Sequence, residues 1–240
     1  MPVKNSLKTY IENGFYHVYN RGVEKRNIFL DEQDYSVFLS YLKLYLSPTE
    51  ETIKNTNEND NLDDQDKNIK IYKINSINNY FNKIELLCYV LMPNHFHLEL
   101  KQIGKKDMGH FMQSLITKYT MYFNRKYKRV GSLFQGRYKA VFIHSLEYLL
   151  DLSRYIHLNP FYIINKNQKL ISYPWSSYNA YIYNHSIKWL NKNYLLNYFN
   201  QTKKTKYTSY QNFIDKYLEE EVIETKEYNN LLLDLGQTLT

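Results

Sequence analysis

Two histidines separated by a single residue are the first feature of this sequence that could do chemistry. His95 and His97 open residues 95–101 (HFHLELK), which alternate as a strand does. Residues two apart on a strand point to one side, so the two imidazoles share a face that Phe96 avoids. This arrangement suits a divalent metal ion, although two polar histidines at a strand end give the same pattern. A third ligand must come from elsewhere, and Glu99, on the same strand face, is one candidate.

A second candidate is a stripe of side chains near the end of a predicted helix. Tyr148, Leu152, Tyr155 and Asn159 recur at three- and four-residue spacing, and Tyr155 and Asn159 share a face. A phenol oxygen close to a phosphodiester and a metal can act as a nucleophile. However, the chain has 26 tyrosines, most of which must serve packing or hydrogen bonding. Periodicity alone therefore does not select Tyr155.

Residues 115–144 combine basic and aromatic side chains and contain no Asp or Glu. Cations bind phosphates and aromatic rings stack on unpaired bases, so this stretch favours contact with nucleic acid. Its first half is also an ordinary amphipathic helix, in which several aromatics belong to the core. The DNA contacts that we predict are Arg21, Lys118, Arg125, Lys128, Arg129, Arg137 and Lys139.

The elements that must position these residues follow from hydrophobic periodicity and turn signals. Pro93-Asn94 makes the turn of a hairpin, Asp31 and Ser145 are predicted helix caps, and Pro160 ends the last helix. Alternating helices around an antiparallel hairpin predict an α+β fold, a ferredoxin-like sandwich whose central antiparallel sheet has helices on one or both faces. The predicted order is strand 15–20, helix 31–46, strand 83–92, strand 95–101, helix 108–127, strand 137–143 and helix 145–159.

Two segments lie outside this pattern. Residues 48–70 hold seven acids against three lysines and almost no apolar side chain, which predicts a mobile acidic insertion without order of its own. Residues 166–240, with short helices expected near 173–183 and 190–221, form a predicted helical extension of a catalytic domain at 1–165.

Overall composition indicates a globular protein with a polyanionic partner. The net charge is +7 and the acidic insertion contributes −4, which leaves +11 on the rest of the chain. Cys88 is the only cysteine, so the chain can form no internal disulfide, as is typical of the cytoplasm. No segment approaches the roughly 18 apolar residues of a membrane span. We therefore expect a cytoplasmic protein that has no membrane partner.

Four motifs in order resemble the IS200-like single-tyrosine transposases, and most closely the branch that includes the REP-associated tyrosine transposases. They lie within residues 10–165 and read YHVYNRG at 16–22, YVLMPNHFHLEL at 89–100, GSLFQGRYKA at 131–140 and RYIHLNP at 154–160. The histidine–hydrophobe–histidine motif of that family falls on His95 and His97, which would bind the metal. Its nucleophile falls on Tyr155, and the polar residue that completes the metal site falls on Asn159.

The resemblance implies a metal-dependent DNA transesterase. Mg²⁺ or Mn²⁺ would orient the scissile phosphate, and Tyr155 would attack it to give a 5′-phosphotyrosine and a free 3′-hydroxyl. Single-stranded or hairpin DNA is the implied partner. The active site forms either within one subunit or across a homodimer. The acidic insertion and the C-terminal extension depart from the pattern of the family, but neither removes one of the four site residues.

Two other functions compete with this one. A catalytically silent nucleic-acid-binding protein could keep the fold as a scaffold, although a scaffold has no need for His95, His97, Tyr155 and Asn159 together. A replication-initiating or plasmid-relaxing nickase shares the histidine chemistry. That class usually carries a further domain, and this chain has neither a phosphate-binding glycine-rich loop nor a Walker lysine.

Overall fold

A four-stranded antiparallel sheet forms the centre of the computed structural model, which describes residues 10–164, 169–200 and 207–221. The strands are β1 (Phe15–Arg21), β2 (Ile84–Met92), β3 (His95–Gln102) and β4 (Lys139–Ile143). Their order across the sheet is β2-β3-β1-β4. β1 lies between β3 and β4, so the two middle strands belong to different parts of the sequence.

Helices cover both faces of this sheet. They are α1 (Glu32–Leu46), α2 (Thr49–Asn57), α3 (Asp64–Asn75), α4 (Asp107–Lys126), α5 (Leu146–Leu158), α6 (Tyr178–Ile182), α7 (Asn193–Phe199) and α8 (Tyr210–Glu221). One face carries Phe96, whose ring lies 5.1 Å from that of Phe38 on α1, and α4 packs beside α1. α5 covers the opposite face, where it contacts β2, β3 and β4. The ferredoxin-like sandwich predicted from the sequence is therefore confirmed.

Local sequence signals explain where α1 and α5 begin. The Asp31 side chain accepts a hydrogen bond from the backbone N–H of Asp34, and the Ser145 side chain does the same for Tyr148. Each cap satisfies one amide that the first helical turn leaves unpaired. The last predicted strand is shorter than expected, because pairing with β1 begins only at Lys139.

The acidic segment 48–70 is folded, contrary to the prediction of a segment without order. It contains α2 and the first part of α3. The two helices pack against each other and bury Thr56 and, in the last turn of α3 beyond the acidic segment, Ile74. Acidic side chains occupy the first turn of each helix, where they interact favourably with the helix dipole. The Asp63 side chain also caps α3. Charge complementarity to the helix ends thus orders a segment that has little apolar surface.

The outer edge of β2 is covered by residues 173–191. Ser177 donates its backbone N–H to the carbonyl of Tyr89 at 3.0 Å, and Asn191 donates to Leu86 at 2.8 Å. These bonds satisfy groups that would otherwise form an open sheet edge. Extended residues of the C-terminal region therefore cover the sheet edge. Helices α6, α7 and α8 lie within the ranges where short helices were predicted.

A buried hydrogen-bond network joins α5 to this C-terminal region. The Nδ1 atom of His157 lies 2.6 Å from the Tyr210 hydroxyl, and Nε2 lies 2.7 Å from Oγ of Ser177. His157 is fully buried, and burial lowers its pKa to about 3, so the ring is neutral. Residues on both sides of the proposed boundary at 165 share one hydrophobic core. The division into domains stays a prediction.

Among the described residues, no helix is both long enough and apolar enough to cross a membrane.

Candidate active site

His95 and His97 lie on one face of β3, as the alternation of the strand predicted, and α5 covers this face. The two rings meet edge to face, with centroids 5.0 Å apart. Phe96 points to the other face, where it is fully buried between α1 and the loop that carries Phe134. His97 is buried and His95 is only partly exposed. The hairpin turn places the more accessible histidine at the rim of the site and the other behind it.

Asn159 joins this pair from the C-terminal end of α5. Its Oδ1 atom lies 3.4 Å from Nε2 of His95, and its Nδ2 atom donates to the backbone carbonyl of Tyr155 at 2.9 Å. The second bond fixes the amide so that its oxygen faces the histidine. Pro160 follows directly and α5 ends at Leu158, so the asparagine is the C-cap residue of the helix.

Tyr155 lies one helical turn before Asn159 and against the histidines. Its ring centroid is 5.4 Å from that of His97, and the rings are nearly perpendicular. The side chain is only 6% exposed. α5 therefore brings Tyr155 and Asn159 to the face of β3 that holds His95 and His97, and all four side chains come from one chain.

His17 is a fifth member of the cluster that sequence reasoning missed. Its Nε2 atom lies 2.7 Å from Nδ1 of His97, and both rings are buried. β1 pairs with β3 so that Tyr19 lies opposite His97 and His17 opposite Glu99, which puts His17 on the face of the site. Alternation in the YHVYNRG motif could have placed His17 and Tyr19 on one side, but only the strand register shows which side.

Burial keeps the imidazoles neutral. Loss of hydration lowers the pKa of His95 to about 4, with a smaller opposing contribution from its hydrogen bond to Asn159 and a further lowering by Arg21. Burial also lowers the pKa of His97 far below its ordinary value, and the neighbouring His17 and His95 add to this effect. Burial lowers the pKa of His17 to about 3. Neutral imidazole is the form that binds metal ions.

Glu99 does not join the histidines as a ligand, which corrects the alternative drawn from strand periodicity. No group of three or more His, Cys, Asp and Glu side chains in the described part of the chain could hold a metal ion. Glu99 is fully buried, and its Oε2 atom accepts a hydrogen bond from the Cys88 thiol at 2.9 Å. Burial raises the pKa of this carboxyl to about 8, so it is mostly protonated at neutral pH.

The remaining donor set fits a divalent metal ion. Nε2 of His97 is buried and has no hydrogen-bond partner among the described residues, which leaves one nitrogen free to coordinate. Two ligands at about 2.1 Å from one ion lie roughly 3 Å apart, close to the separation of Nε2 of His95 and Oδ1 of Asn159. Two imidazoles and an amide would leave further positions open, as a catalytic metal requires.

The predicted DNA-contact residues fall into three places. Arg21 and Lys139 lie on the face of the site, since Arg21 pairs with His95 and Lys139 pairs with Tyr19. Arg125, Lys128 and Arg129 surround the end of α4, and exposed Arg137 lines a groove of about 710 Å³ between α4 and the following loop. Lys118 lies against Tyr41 on the far side of the sheet. The structure therefore groups only Arg21 and Lys139 with His95 and Tyr155.

This placement predicts different effects for two lysine substitutions. Lys139→Gln is expected to weaken binding of single-stranded DNA roughly three- to tenfold. It should also reduce the magnitude of the slope of log K against log salt concentration by about 0.7. Its ammonium group lies 5.6 Å from the centre of the Tyr19 ring, beside the histidines. Lys118→Gln is the matched control and should leave both quantities unchanged. Fluorescence anisotropy at several salt concentrations measures them, and equal effects of the two variants would contradict this placement.

Comparison with known proteins finds a family match over part of the chain. Residues 53–159 match the family described as "Transposase IS200 like". The matched segment contains His95, His97, Tyr155 and Asn159, whereas β1 and its His17 precede it. This segment is therefore similar to the IS200-like transposases, as the motifs predicted.

No protein with a curated description matches the sequence. One similar solved structure is titled "Structure of the REP associates tyrosine transposase bound to a REP hairpin". It is 14% identical, the alignment covers 75% of this chain and 86% of that chain, and the TM-score is 0.48. No part of the proposed function rests on this likeness.

Proposed function

We propose that the protein is a metal-dependent DNA transesterase that cleaves and rejoins single-stranded or hairpin DNA. The observation that carries the proposal is the meeting of α5 with β3. The Tyr155 ring lies 5.4 Å from that of His97, and Oδ1 of Asn159 lies 3.4 Å from Nε2 of His95. A nucleophile and a metal-binding donor set thus occupy one face of the sheet, inside a segment of the transposase family.

Three side chains would hold the metal, through Nε2 of His95, Nε2 of His97 and Oδ1 of Asn159. When bound, Mg²⁺ or Mn²⁺ supplies a positive charge that polarises the non-bridging oxygens of the scissile phosphate. The chain prepares the site for this charge, because its buried imidazoles are neutral and expose a lone pair. The hydrogen bond from Asn159 to the Tyr155 carbonyl keeps the amide ligand and the nucleophile on one helical turn.

The reaction is an exchange of phosphate esters. As the bond between phosphorus and the Tyr155 hydroxyl oxygen forms, the bond from phosphorus to the 3′-oxygen breaks. The phenol loses its proton and the leaving 3′-oxygen takes one up. The products are a 5′-phosphotyrosine and a free 3′-hydroxyl. A 3′-hydroxyl from a second strand reverses the step, so strands are joined without a nucleotide cofactor.

Basic and aromatic side chains at the rim would hold the DNA strand. Arg21 and Lys139 supply positive charge on the face of the site, and Tyr19 lies between Lys139 and His97. Stacking and phosphate contacts of this kind bind unpaired strands with little sequence preference. A flexible single strand can also bend until the scissile phosphate lies in line with Tyr155. Duplex DNA resists such bending.

A covalent adduct assay tests the proposal. The full chain is incubated with hairpin and single-stranded oligonucleotides from the flanks of its own gene, with Mn²⁺, Mg²⁺ or EDTA. A 3′-end label should move into a protein–DNA adduct only with metal, while a 5′-end label should appear on a released fragment that ends in a 3′-hydroxyl. Mass spectrometry of tryptic peptide 155–166 should place the adduct on Tyr155 rather than Tyr162. DNA binding without any adduct would favour the catalytically silent scaffold.

A further inference from the structure

His17 is hydrogen-bonded to His97 but takes no part in the transesterification steps described above. It lies on β1, the neighbouring strand, and is 1% exposed. Its Nε2 atom lies 2.7 Å from Nδ1 of His97, and the planes of the two rings differ by only 22°. The ring nitrogens at the outer ends of this pair, Nδ1 of His17 and Nε2 of His97, have no partner among the described residues.

Only two arrangements of protons fit this pair of neutral rings. In the first, His97 carries its proton on Nδ1 and donates it to Nε2 of His17, so that Nε2 of His97 has a free lone pair. In the second, His17 donates to His97, and the proton on His97 sits on Nε2. Each arrangement leaves one N–H and one lone pair without a partner. The two arrangements therefore satisfy the same number of hydrogen bonds among the described residues.

One feature of the site favours the first arrangement. Only a free lone pair on Nε2 of His97 can bind a metal ion. A metal ion held by His95, His97 and Asn159 therefore selects the tautomer in which His97 donates its Nδ1–H to His17.

We propose that His17 is a positioning residue, which accepts the Nδ1–H of His97 and so holds the Nε2 lone pair of His97 towards the metal site. This inference rests on the proposed function, because it concerns the same metal. A partner of this kind fixes both the tautomer and the ring orientation of a metal-binding histidine, and its loss typically costs about ten- to a hundredfold in metal affinity.

Two substitutions at His17 separate the hydrogen bond from the shape of the ring. His17→Phe keeps an aromatic ring in the core but removes the acceptor, and should weaken Mn²⁺ binding to the full chain about ten- to a hundredfold. His17→Gln keeps an oxygen that can accept the same proton and should restore most of that affinity. Tyr19→Phe is the control, since Tyr19 stacks on His97 without an observed hydrogen bond to it. Calorimetry measures the affinities, and thermal unfolding verifies that each variant is folded.

The tautomer of His97 gives a readout that does not depend on activity. In ¹⁵N-histidine-labelled, metal-free wild type, NMR should show the proton of His97 on Nδ1, with signals assigned from a His97→Gln variant. His17→Phe should shift population towards Nε2–H, and His17→Gln should not. A proton on Nε2 in the wild type, or unchanged Mn²⁺ affinity in a folded His17→Phe variant, would overturn the inference.

The inference and the proposed function fail in different ways. Metal binding that depends on His17, together with no DNA adduct, would reject the transesterase and keep the positioning role. A metal-dependent adduct with no dependence on His17 would do the reverse. Absence of Mn²⁺ binding in the wild type would overturn the positioning role and the metal dependence together.

Discussion

Tyr155→Phe is expected to abolish the protein–DNA adduct and to slow strand cleavage by at least about 10³-fold, because it removes the atom that bonds to phosphorus. Phenylalanine keeps the ring that packs against His97, so metal binding and folding should be unchanged. DNA affinity should change little, since the proposed phosphate contacts come from other residues. The measurement is cleavage of an end-labelled oligonucleotide in saturating Mn²⁺, followed over time.

Tyr148→Phe is the matched control for that experiment. Tyr148 lies two helical turns before Tyr155 on the same face of α5, and it is the more exposed of the two. It should retain the adduct and most of the cleavage rate. Loss of the adduct in Tyr148→Phe but not in Tyr155→Phe would move the nucleophile to Tyr148. An adduct that survives both substitutions would reject both tyrosines.

The free energy of unfolding is expected to pass through a maximum near pH 7. Below that value the buried histidines dominate. Burial lowers the pKa of His95 to about 4 and that of His17 and His157 to about 3. Burial also lowers the pKa of His97 well below its ordinary value. Unfolding lets each ring regain a proton as the pH falls below 6.5. Stability is therefore lost towards acid, by up to roughly 1.4 kcal/mol per pH unit for each ring.

Glu99 produces the decline on the alkaline side and opposes the histidines in acid. Its pKa is raised from 4.5 to about 8 by burial, so the folded state holds a proton that the unfolded state releases. Stability falls as pH rises from 4.5 through 8, by up to about 1.4 kcal/mol per unit. Above about pH 7.5 the unfolded histidines hold few protons, and this carboxyl dominates. Near pH 5 the four histidines outweigh it, because the unfolded state then binds about three more protons than the folded state.

Urea unfolding followed by circular dichroism from pH 5 to pH 8.5 measures both limbs. Glu99→Gln is the diagnostic variant, because an amide cannot ionise and the alkaline decline should disappear while the acid decline steepens. A wild-type stability that does not fall between pH 7.5 and 8.5, or a Glu99→Gln profile that matches the wild type, would contradict the assignment of the alkaline limb to this carboxyl.

Much of the fold was predictable from local patterns. Caps at Asp31 and Ser145, the turn at Pro93 and the apolar run of β2 are each decided within a few residues, and the structure contains all of them. The alternation in β3 also gave the shared face of His95 and His97. The acidic segment was the main error, because its order comes from helix-end charges and packing between α2 and α3 rather than from an apolar stripe.

The site was harder to predict because it depends on contacts between distant parts of the chain. Helical periodicity puts Tyr148, Leu152 and Tyr155 on one face, but it does not say that this face covers the histidines. Selecting Tyr155 among 26 tyrosines required the family motif. His17 could not be found, since its role depends on the register between β1 and β3, which are separated by more than seventy residues.

The covered edge of β2 has a consequence for the order of events during synthesis. When a ribosome has made residue 165, all the proposed catalytic side chains exist. Ser177 and Tyr210, the two hydrogen-bond partners of His157 on α5, have not yet been made, nor have the residues that pair with β2. The helix that carries Tyr155 therefore gains its full support only after residue 210 has been made. The nascent chain thus remains incompletely assembled while it is held beside its own messenger RNA, a single-stranded polyanion.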